Sequence, residues 1–307
     1  MNPTDIKSRF DSALASFVEK IKSDSNIRAV VLCGSLANDT VWEKSDMDIE
    51  VLVRETKSGT KSFCIDEDGI ILNVNVQSEF DFKRELERTV GGDWMYSYYS
   101  QAKVMYSKDE SFVHFIKDFQ KVGADDRASS FFHASTWLIG ILEKIEKWLS
   151  VKDDPQYAQL WCLKAAEVYA NMRLVLDNKP PSREAVLKVM AYAPEEMKYL
   201  YERPMQGFMT REEVWDLLKF HKKFLENNVD LLSQPVTEYM SDGEVRTVTT
   251  LCKHFRMRSH DIYHAFDFLE EMGTVARVTE NVRITAKIRS SLEEVAFIYI
   301  KNMEAYS

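Results

Sequence analysis

The stretch Val30–Val53 (VVLCGSLANDTVWEKSDMDIEVLV) constrains the fold of this chain most, because it sets polar, chemistry-bearing residues between two apolar strands. The first strand, Arg28–Cys33, is short and apolar, as buried strands are, and it ends in Gly34-Ser35. Glycine allows a backbone to approach a bulky anion, since it has no Cβ in the way. Ser35 adds a hydroxyl and a backbone N–H at the start of a helical turn. The corner therefore predicts a phosphate-binding site.

Carboxylates open the second strand. In Asp46–Val53 the apolar residues alternate with Asp46, Asp48 and Glu50, and a period of two puts these carboxylates on one face. Asp46 and Asp48 lie two residues apart and project side by side. Two hard oxygen ligands at this spacing suit Mg²⁺ shared with nucleotide phosphates, so we expect Asp46 and Asp48 to bind metal.

The corner and the carboxylate pair together resemble the nucleotidyltransferase superfamily of DNA polymerase beta, in its small bacterial and antibiotic-modifying branch. That family's signature is an apolar strand, Gly-Ser, a spacer and an Asp-x-Asp that opens the next strand, and Ala37 meets its small-residue position. The resemblance continues through a predicted hairpin (Lys61–Ile65 with Ile70–Gln77), a helix (79–88) and a strand (Ala102–Tyr106). A helical second domain behind such a module resembles kanamycin- and lincosamide-type nucleotidyltransferases.

This resemblance implies an enzyme that moves a nucleoside monophosphate from a nucleoside triphosphate to an acceptor hydroxyl and releases pyrophosphate. ATP is the expected nucleotide. Gly34, Ser35 and Ser45 are then the nucleotide-binding residues, and Asp46 and Asp48 are the catalytic pair that holds one or two Mg²⁺ ions.

Two departures from the family pattern bear on activity. Asn38-Asp39 stands where the family often has Arg-Gly, so the turn can form but a positive charge near the triphosphate is lost. The family's third carboxylate falls on the second hairpin strand, where Asn73, Asn75 and Gln77 share one face and none is acidic. Asn73 is the expected equivalent. Its amide can ligate Mg²⁺ through oxygen but cannot act as a base at neutral pH.

The missing carboxylate leaves three alternatives: a base comes from elsewhere, the acceptor needs little activation, or the domain binds nucleotide without turnover. Glu50, on the strand face of Asp48, could partly substitute for it. A glutamate at the surface edge of the sheet explains Glu50 equally well.

The region from about 108 to 238 is predicted to be helical, with periodic segments at 109–120, 128–150, 155–177, 211–233 and, more briefly, 182–193. A stripe in the second of these segments is predicted to be buried bundle core: Trp137, Leu138, Ile141, Leu142, Ile145 and Trp148.

The segment 156–176 is apolar on most sides but keeps two polar stripes. These are Gln159, Arg173 and Asp177, expected to face solvent, and Lys164, Glu167 and Asn171 on nearly the opposite side. In the resembled enzymes the acceptor pocket lies between the two domains, and a glutamate of the helical domain can serve as base. Glu167 is therefore the candidate base and Lys164 a phosphate or acceptor contact. An internal Lys164–Glu167 pair with a purely structural role is the alternative.

The end of the chain changes pattern again. Its signals are Val245–Phe255, a turn at Arg256–Ser259, a helix at His260–Met272, alternating strands at Thr274–Val278 and Asn281–Ile284, and a last helix from about Arg289. This order predicts a winged-helix-like module. Its second helix has four acidic residues and neither Lys nor Arg, which argues against DNA binding and favours domain packing, a dimer contact or completion of a substrate cleft.

The expected architecture is thus α+β in three domains. A nucleotidyltransferase domain with a mixed sheet and flanking helices (1–120) is followed by an α-helical bundle (121–238) and a winged-helix-like domain (239–307).

Composition restricts the classes of substrate and partner that we expect for this chain. Forty Lys and Arg against 49 Asp and Glu give a net charge of −9, which argues against RNA or DNA as acceptor and favours a cationic small molecule such as an aminoglycoside. The four cysteines are far apart and show no CxxC spacing, so we expect reduced, mostly buried thiols in the cytoplasm. No apolar run approaches the ~20 residues that span a bilayer, so no membrane partner is expected. The sequence is compatible with both a monomer and a homodimer.

Two functions of different classes follow from these observations. One is a Mg²⁺-dependent nucleotidyltransferase that acts on a small hydroxyl acceptor. The other is a regulatory protein that binds nucleotide without turnover and reports its occupancy through the C-terminal module. A toxin–antitoxin-type nucleotidyltransferase shares the first site and differs only in having a protein as acceptor.

Overall fold

The computed structural model describes residues 3–34, 45–54, 60–89, 94–120, 124–285 and 292–300. Contacts within the chain divide it into two compact units. One comprises Met1–Gly123 with Pro180–Arg183, and the other comprises Ala124–Lys179 with Glu184–Ser307. The protein is of the mixed α+β class, and the three-domain division expected above stays a prediction.

The N-terminal unit is built on a five-stranded mixed sheet of order β3-β4-β2-β1-β5. Its strands are β1 (Ile27–Cys33), β2 (Met47–Val53), β3 (Lys61–Glu67), β4 (Ile70–Ser78) and β5 (Lys103–Ser107). β2 and β4 run parallel, and every other neighbouring pair is antiparallel. The β3–β4 hairpin turns through Asp68 and Gly69, both with positive φ, as a tight two-residue turn requires. The predicted strands and hairpin are confirmed.

Helices cover both faces of this sheet. They are α1 (Pro3–Ile21), α2 (Glu79–Thr89), α3 (Trp94–Tyr99) and α4 (Glu110–Phe119). Val30 and Leu32 of β1 join the apolar cluster of α1, whereas Val31 and Cys33 join the cluster that contains Phe82 of α2. Because successive side chains of a strand point to opposite faces, one apolar strand supplies two core layers.

The second unit is mainly helical. Its helices are α5 (Ala124–Ser150), α6 (Pro155–Leu176), α7 (Ala185–Met190), α8 (Pro194–Met197), a π-helical turn (Lys198–Glu202), α9 (Arg203–Met205), α10 (Arg211–Asn227) and α11 (Val229–Tyr239). The helix predicted over 211–233 is two helices. α10 begins at a capping box of Thr210 and Glu213. It ends at Asn228, whose Nδ2 donates to the carbonyl of Phe224 (2.8 Å).

Two predictions about side-chain exposure in this unit are wrong. Trp137, assigned to the buried stripe of α5, has 51% of its surface exposed, while Leu138, Leu142 and Ile145 are buried as predicted. Trp137 therefore lies beyond the edge of the stripe, where helical rotation turns it toward solvent.

Gln159, assigned to a solvent stripe of α6, is buried. Its Nε2 donates to the carbonyls of Gly207 (2.8 Å) and Pro204, and its Oε1 accepts from the N–H of Met209 (2.9 Å). A glutamine is buried here because it satisfies the backbone groups of an adjoining loop.

The C-terminal part of this unit contains a second, three-stranded sheet of order β6-β8-β7. Its elements are β6 (Arg246–Thr247), α12 (Val248–Phe255), α13 (Ser259–Glu271), β7 (Val275–Val282) and β8 (Leu292–Tyr299). The first predicted wing strand and the beginning of the second form one continuous β7, which ends at Val282. The predicted last helix is wrong over its described residues, because Leu292–Tyr299 pairs antiparallel with β7 and buries Ala296 and Phe297. Arg289, where that helix was expected to begin, lies outside the described residues.

All four cysteines are free thiols. Cys33 and Cys162 are buried, Cys252 is half-buried, and Cys64 is exposed on β3. Over the residues that the structure describes, no helix combines the length and apolarity needed to cross a bilayer.

Candidate functional site

The candidate site lies where β2 and β4 run side by side. Because these strands are parallel, Asp48 stands opposite Asn73 and Glu50 opposite Asn75. The Nδ2 of Asn73 donates a hydrogen bond to Oδ2 of Asp46, which directly precedes β2. Asn73 also hydrogen-bonds the side chain of Asp48. One amide thus joins the two expected metal ligands, from the position at which the sequence predicted the third ligand.

Gly34 borders the same site at the end of β1. Its φ of +71° is a conformation that other residues rarely adopt. A Cβ at this position would lie 3.2 Å from Cγ of Asp48 and closer still to Oδ2. The absence of a side chain at Gly34 therefore leaves room for the Asp48 carboxylate itself.

The two aspartates differ in exposure. Asp46 is exposed and Asp48 is half-buried. Burial and the negative charge of Asp46 raise the pKa of Asp48, while the hydrogen bond from Asn73 and the guanidinium of Arg183 lower it. A site whose carboxylates repel one another in this way favours a cation.

Glu50 lies deeper on the same face of β2, with 2% of its surface exposed. Its Oε1 accepts from Nδ2 of Asn75 (3.1 Å) and its Oε2 accepts from Nε2 of Gln77 (2.9 Å). The same Nε2 also donates to Oε2 of Glu85 in α2 (3.1 Å). The interpretation of Glu50 as a surface-edge glutamate is therefore wrong, because the parallel pairing of β2 with β4 brings two amides onto its carboxylate.

This burial changes the protonation of the groups behind the aspartates. Burial raises the pKa of Glu50 to about 7. The hydrogen bonds from Gln77 and Asn75 oppose this shift, and the negative charges of Glu85 and Asp48 add a smaller upward contribution. Burial and these carboxylates also raise the pKa values of the Cys33 thiol and of the Tyr98 and Tyr99 hydroxyls. The layer behind the site therefore holds protonated groups and a glutamate close to its titration midpoint at neutral pH.

The donor set fits Mg²⁺ that arrives with phosphates. In the described part of the chain, no three His, Cys, Asp or Glu side chains are grouped to hold a metal. Asp46 and Asp48 supply two carboxylates, and rotation of the Asn73 amide would add one neutral oxygen. Proteins commonly bind Mg²⁺ through one or two carboxylates, with phosphate and water oxygens in the other positions. The missing side chain of Gly34 leaves room for the Asp48 carboxylate within this donor set.

Other predicted site residues lie elsewhere. Ser35, together with the loop positions Ala37, Asn38 and Asp39, is outside the described residues. Ser45 is half-buried next to Asp46.

Lys164 and Glu167 belong to α6 of the second unit, and both are exposed. The Lys164 ammonium lies 4.1 Å from the ring centroid of Trp161. The main-chain carbonyl of Glu167 accepts a hydrogen bond from Nδ2 of Asn171 (3.2 Å).

Sequence reasoning missed Arg183 and Glu85. Glu85 accepts a hydrogen bond from Gln77 of the site layer, a pairing that no local sequence pattern indicates. For Arg183 the available signal was Pro180-Pro181, which marks an extended segment between helices.

Two comparisons with known proteins bear on this site. Residues 16–111 match the family model described as Polymerase beta, Nucleotidyltransferase. The fold is similar to the crystal structure of a nucleotidyltransferase-like protein from Exiguobacterium sibiricum 255-15, with a TM-score of 0.67 and 13% identity over 95% of this chain and 99% of that chain. No curated protein matches the sequence. The family match supports a nucleotidyltransferase domain of the polymerase beta superfamily in the N-terminal unit, and the structural similarity shows the fold.

Proposed function

We propose that the N-terminal unit binds a nucleoside triphosphate with Mg²⁺ and transfers its nucleoside monophosphate to a hydroxyl of a small-molecule acceptor, releasing pyrophosphate. The observation that carries this proposal is the placement of Asp46 and Asp48 around Asn73, with Asp48 packed against Gly34. The family match of residues 16–111 supports the class of reaction. ATP is the proposed nucleotide, and the net charge of −9 favours an aminoglycoside-like acceptor.

In this proposal the chain binds and orients the reactants and forms no covalent intermediate. Asp46 and Asp48 hold the metal, Gly34 admits the phosphates, and Ser35 and Ser45 contact them. When bound, Mg²⁺ supplies neutralisation of the triphosphate charge. The acceptor oxygen forms a bond to the α-phosphorus, and the bond from that phosphorus to the pyrophosphate oxygen breaks.

The proton of the acceptor hydroxyl needs its own acceptor. An amide such as Asn73 cannot take it at neutral pH. Glu50 is enclosed by Asn75 and Gln77, so it is not available to a bound acceptor. Glu167 remains the proposed base, and Lys164 the proposed phosphate or acceptor contact. Both side chains are exposed on α6, which suits contact with a ligand better than a buried Lys164–Glu167 pair with a structural role.

Pyrophosphate release tests this proposal. The protein is incubated with labelled ATP, GTP, CTP or UTP, Mg²⁺ and a panel of aminoglycosides. We expect release with at least one combination and a loss of about 100-fold in Asp46→Asn and Asp48→Asn, because each change removes a charged metal ligand. Asp68→Asn is the matched control, since Asp68 lies in the hairpin turn with a φ of 54°, which asparagine tolerates.

A second function is favoured by the amide at position 73. With Asn73 between the aspartates, the site has two carboxylates where the resembled family has three, which suits a protein that binds nucleotide without turnover. Magnesium-dependent nucleotide binding with no release for any acceptor would favour this regulatory function. Absence of binding for all four triphosphates would refute both functions. Labelling of a co-purifying protein would instead identify a protein acceptor.

The C-terminal elements are proposed to form a winged-helix-like module that serves packing, dimerisation or ligand sensing. This proposal is supported by the order of α12, α13 and the β7–β8 hairpin. Acidic side chains on α13 already engage the basic ones next to them, since Asp261 binds Arg258 (2.9 Å) and Asp267 binds Arg277. DNA binding by this helix is therefore not proposed.

A further inference from the structure

A cleft of about 400 Å³ lies within the second unit, between α5, α6 and the start of α13. Trp161 of α6 forms part of its wall. Four lining residues repeat at helical spacing along one side of α5: Trp137, Gly140, Ile141 and Lys144. The volume lies in the range of small-molecule sites, which often occur between the helices of a bundle.

Gly140 keeps the α5 side of this cleft open. Glycine in the interior of a helix is less stable than alanine, because it gives up more backbone entropy on folding. A Cβ built at Gly140 would meet no atom within 4 Å among the described residues. Packing therefore does not require a glycine here, and a side chain at this position would occupy the cleft itself.

Two indole rings line the cleft. Trp137 has 51% of its surface exposed, and Trp161 is half-buried. The ammonium of Lys164 lies 4.1 Å from the ring centroid of Trp161, so this side of the wall is also positively charged. Indole rings pack in offset or edge-to-face arrangements against other aromatic rings. The walls therefore favour a planar aromatic ligand.

Lys144 gives the cleft a positive charge that no carboxylate neutralises. Its side chain is half-buried, and in the described part of the chain it forms no ion pair. The other Lys or Arg that lines the cleft, Arg258, donates from Nε to Asp261 (2.9 Å). Glu143, the neighbour of Lys144, binds His264 instead. A half-buried ammonium without a partner favours an anionic ligand.

We propose that this cleft binds a small aromatic carboxylate, with its ring against Trp137 and Trp161 and its carboxylate on the ammonium of Lys144. One unpaired lysine matches one negative charge better than the several charges of a triphosphate. The same lysine repels a polycationic acceptor of the aminoglycoside type, so this ligand differs from both proposed substrates. All lining residues belong to the second unit, so the inference does not depend on the nucleotide site of the first.

Titration calorimetry of the full chain with 2-naphthoate tests this inference. We expect a Kd below ~1 mM for wild type. The neutral 2-naphthamide, which has the same ring, should bind about 5- to 10-fold more weakly, because it lacks the charge. Cyclohexanecarboxylate, which has the charge but no aromatic ring, should also bind more weakly than 2-naphthoate.

Substitution of Lys144 tests the position of the carboxylate. In Lys144→Gln the affinity for 2-naphthoate should fall about 5- to 10-fold, while that for 2-naphthamide should not change. Lys223→Gln, which removes an exposed charge on α10 outside the cleft, is the matched control and should bind both probes as wild type does.

Substitution of Gly140 tests the position of the ring. Gly140→Leu should fill the cleft and abolish binding of both naphthyl probes. Gly140→Ala checks that the helix accepts a side chain here, and it should melt no lower than wild type, because alanine favours a helix. Loss of binding in a Gly140→Leu variant that melts as wild type does would support the cleft as the site.

The results that would overturn the inference are distinct from those that would overturn the proposed function. Absence of 2-naphthoate binding to wild type with a Kd below ~1 mM would overturn it. So would equal affinity of wild type and Lys144→Gln for 2-naphthoate, or undiminished binding by Gly140→Leu. Asp46→Asn should bind 2-naphthoate as wild type does, and a loss there would place the probe at the nucleotide site instead.

Discussion

Asn73 and Asp48 stand opposite each other on parallel strands, and the amide of Asn73 joins Asp48 to Asp46. The neutral Asn73 therefore stands between two carboxylates. A third negative charge here would be repelled by both aspartates in the absence of metal, and it would help to bind a metal ion in its presence. The amide stabilises the two aspartates, and in the proposed function it limits how tightly they hold a metal ion. This balance can be shifted by single substitutions.

Changing Asn73 to Asp should raise metal affinity. A third carboxylate adds ligand charge, so we expect Mn²⁺ to bind about tenfold more tightly and any pyrophosphate release to increase. The metal-free protein should melt at a lower temperature, since three carboxylates would then repel one another. Asn75→Asp is the positional control, because Asn75 faces Glu50 and not the aspartate pair. Unchanged Mn²⁺ affinity in Asn73→Asp would mean that position 73 is not a ligand position.

Changing Gly34 to Ala should damage both stability and the site. The new Cβ would meet Asp48, and alanine is strained at a φ of +71°. Gly69→Ala is a matched control, since Gly69 has a φ of +77° but no atom within 4 Å of its Cβ position. We expect about 1–2 kcal/mol lower unfolding free energy in both variants from backbone strain. Gly34→Ala alone should also lose Mn²⁺ binding, as measured by calorimetry. Equal Mn²⁺ affinity in the two variants would show that the space at Gly34 is dispensable.

Changing Glu50 to Gln should remove a pH dependence of stability. The pKa of Glu50 is raised in the folded protein from about 4.5 to about 7, so the folded state binds the proton more tightly than the unfolded chain. Its contribution to stability is complete below about pH 4.5 and is lost as the pH rises through 7. Above pH 7 we expect Glu50→Gln to be more stable than wild type by on the order of 1–3 kcal/mol.

Urea denaturation at pH 5 and pH 8 measures this difference. Glu87→Gln, on the exposed face of α2, should show none. A Glu50→Gln variant no more stable than wild type at pH 8 would contradict the burial of a charged group at this position.

Changing His221 to Leu should stabilise the second unit. His221 is almost fully buried, and within the described residues neither ring nitrogen has a hydrogen-bond partner. Burial lowers its pKa to about 3, so the unfolded chain binds a proton below about pH 6.5 that the folded state does not. Wild type should therefore lose stability as the pH falls from 6.5, and His221→Leu should not.

At pH 7.5 the leucine variant should be about 1–2 kcal/mol more stable, because an unsatisfied polar ring is removed from the core. Urea denaturation at pH 7.5 and pH 5 checks both statements. His114→Gln, on the exposed side of α4, is the control. Lower stability of His221→Leu at both values would point to a packing or hydrogen-bonding role for the imidazole.

Much of the N-terminal unit could be predicted because its signals are local. The apolar run of β1, the alternation of Asp46, Asp48 and Glu50, and the turn at Gly69 each lie within a few residues. The family resemblance predicts the order of these elements, and the register of β2 against β4 sets Asn73 opposite Asp48.

What could not be predicted depends on residues far apart in sequence. Glu50 is buried because β4 and α2 cover it. The positive charge of Arg183, 135 positions further along the chain, lowers the pKa of Asp48. Leu292–Tyr299 lies within the last helix predicted from the sequence, but its antiparallel pairing with β7 makes it a strand. Tertiary contacts outweigh local preference at such positions.

The placement of Pro180–Arg183 means that the polypeptide crosses between the two units three times, near 123, 179 and 183. A fragment that stops at Gly123 lacks this tetrapeptide and has no other segment in its place. The N-terminal unit is therefore not a continuous segment that one cleavage can release. Transplanting it into another protein would require a graft of the missing tetrapeptide, and gene fusion in nature would meet the same obstacle.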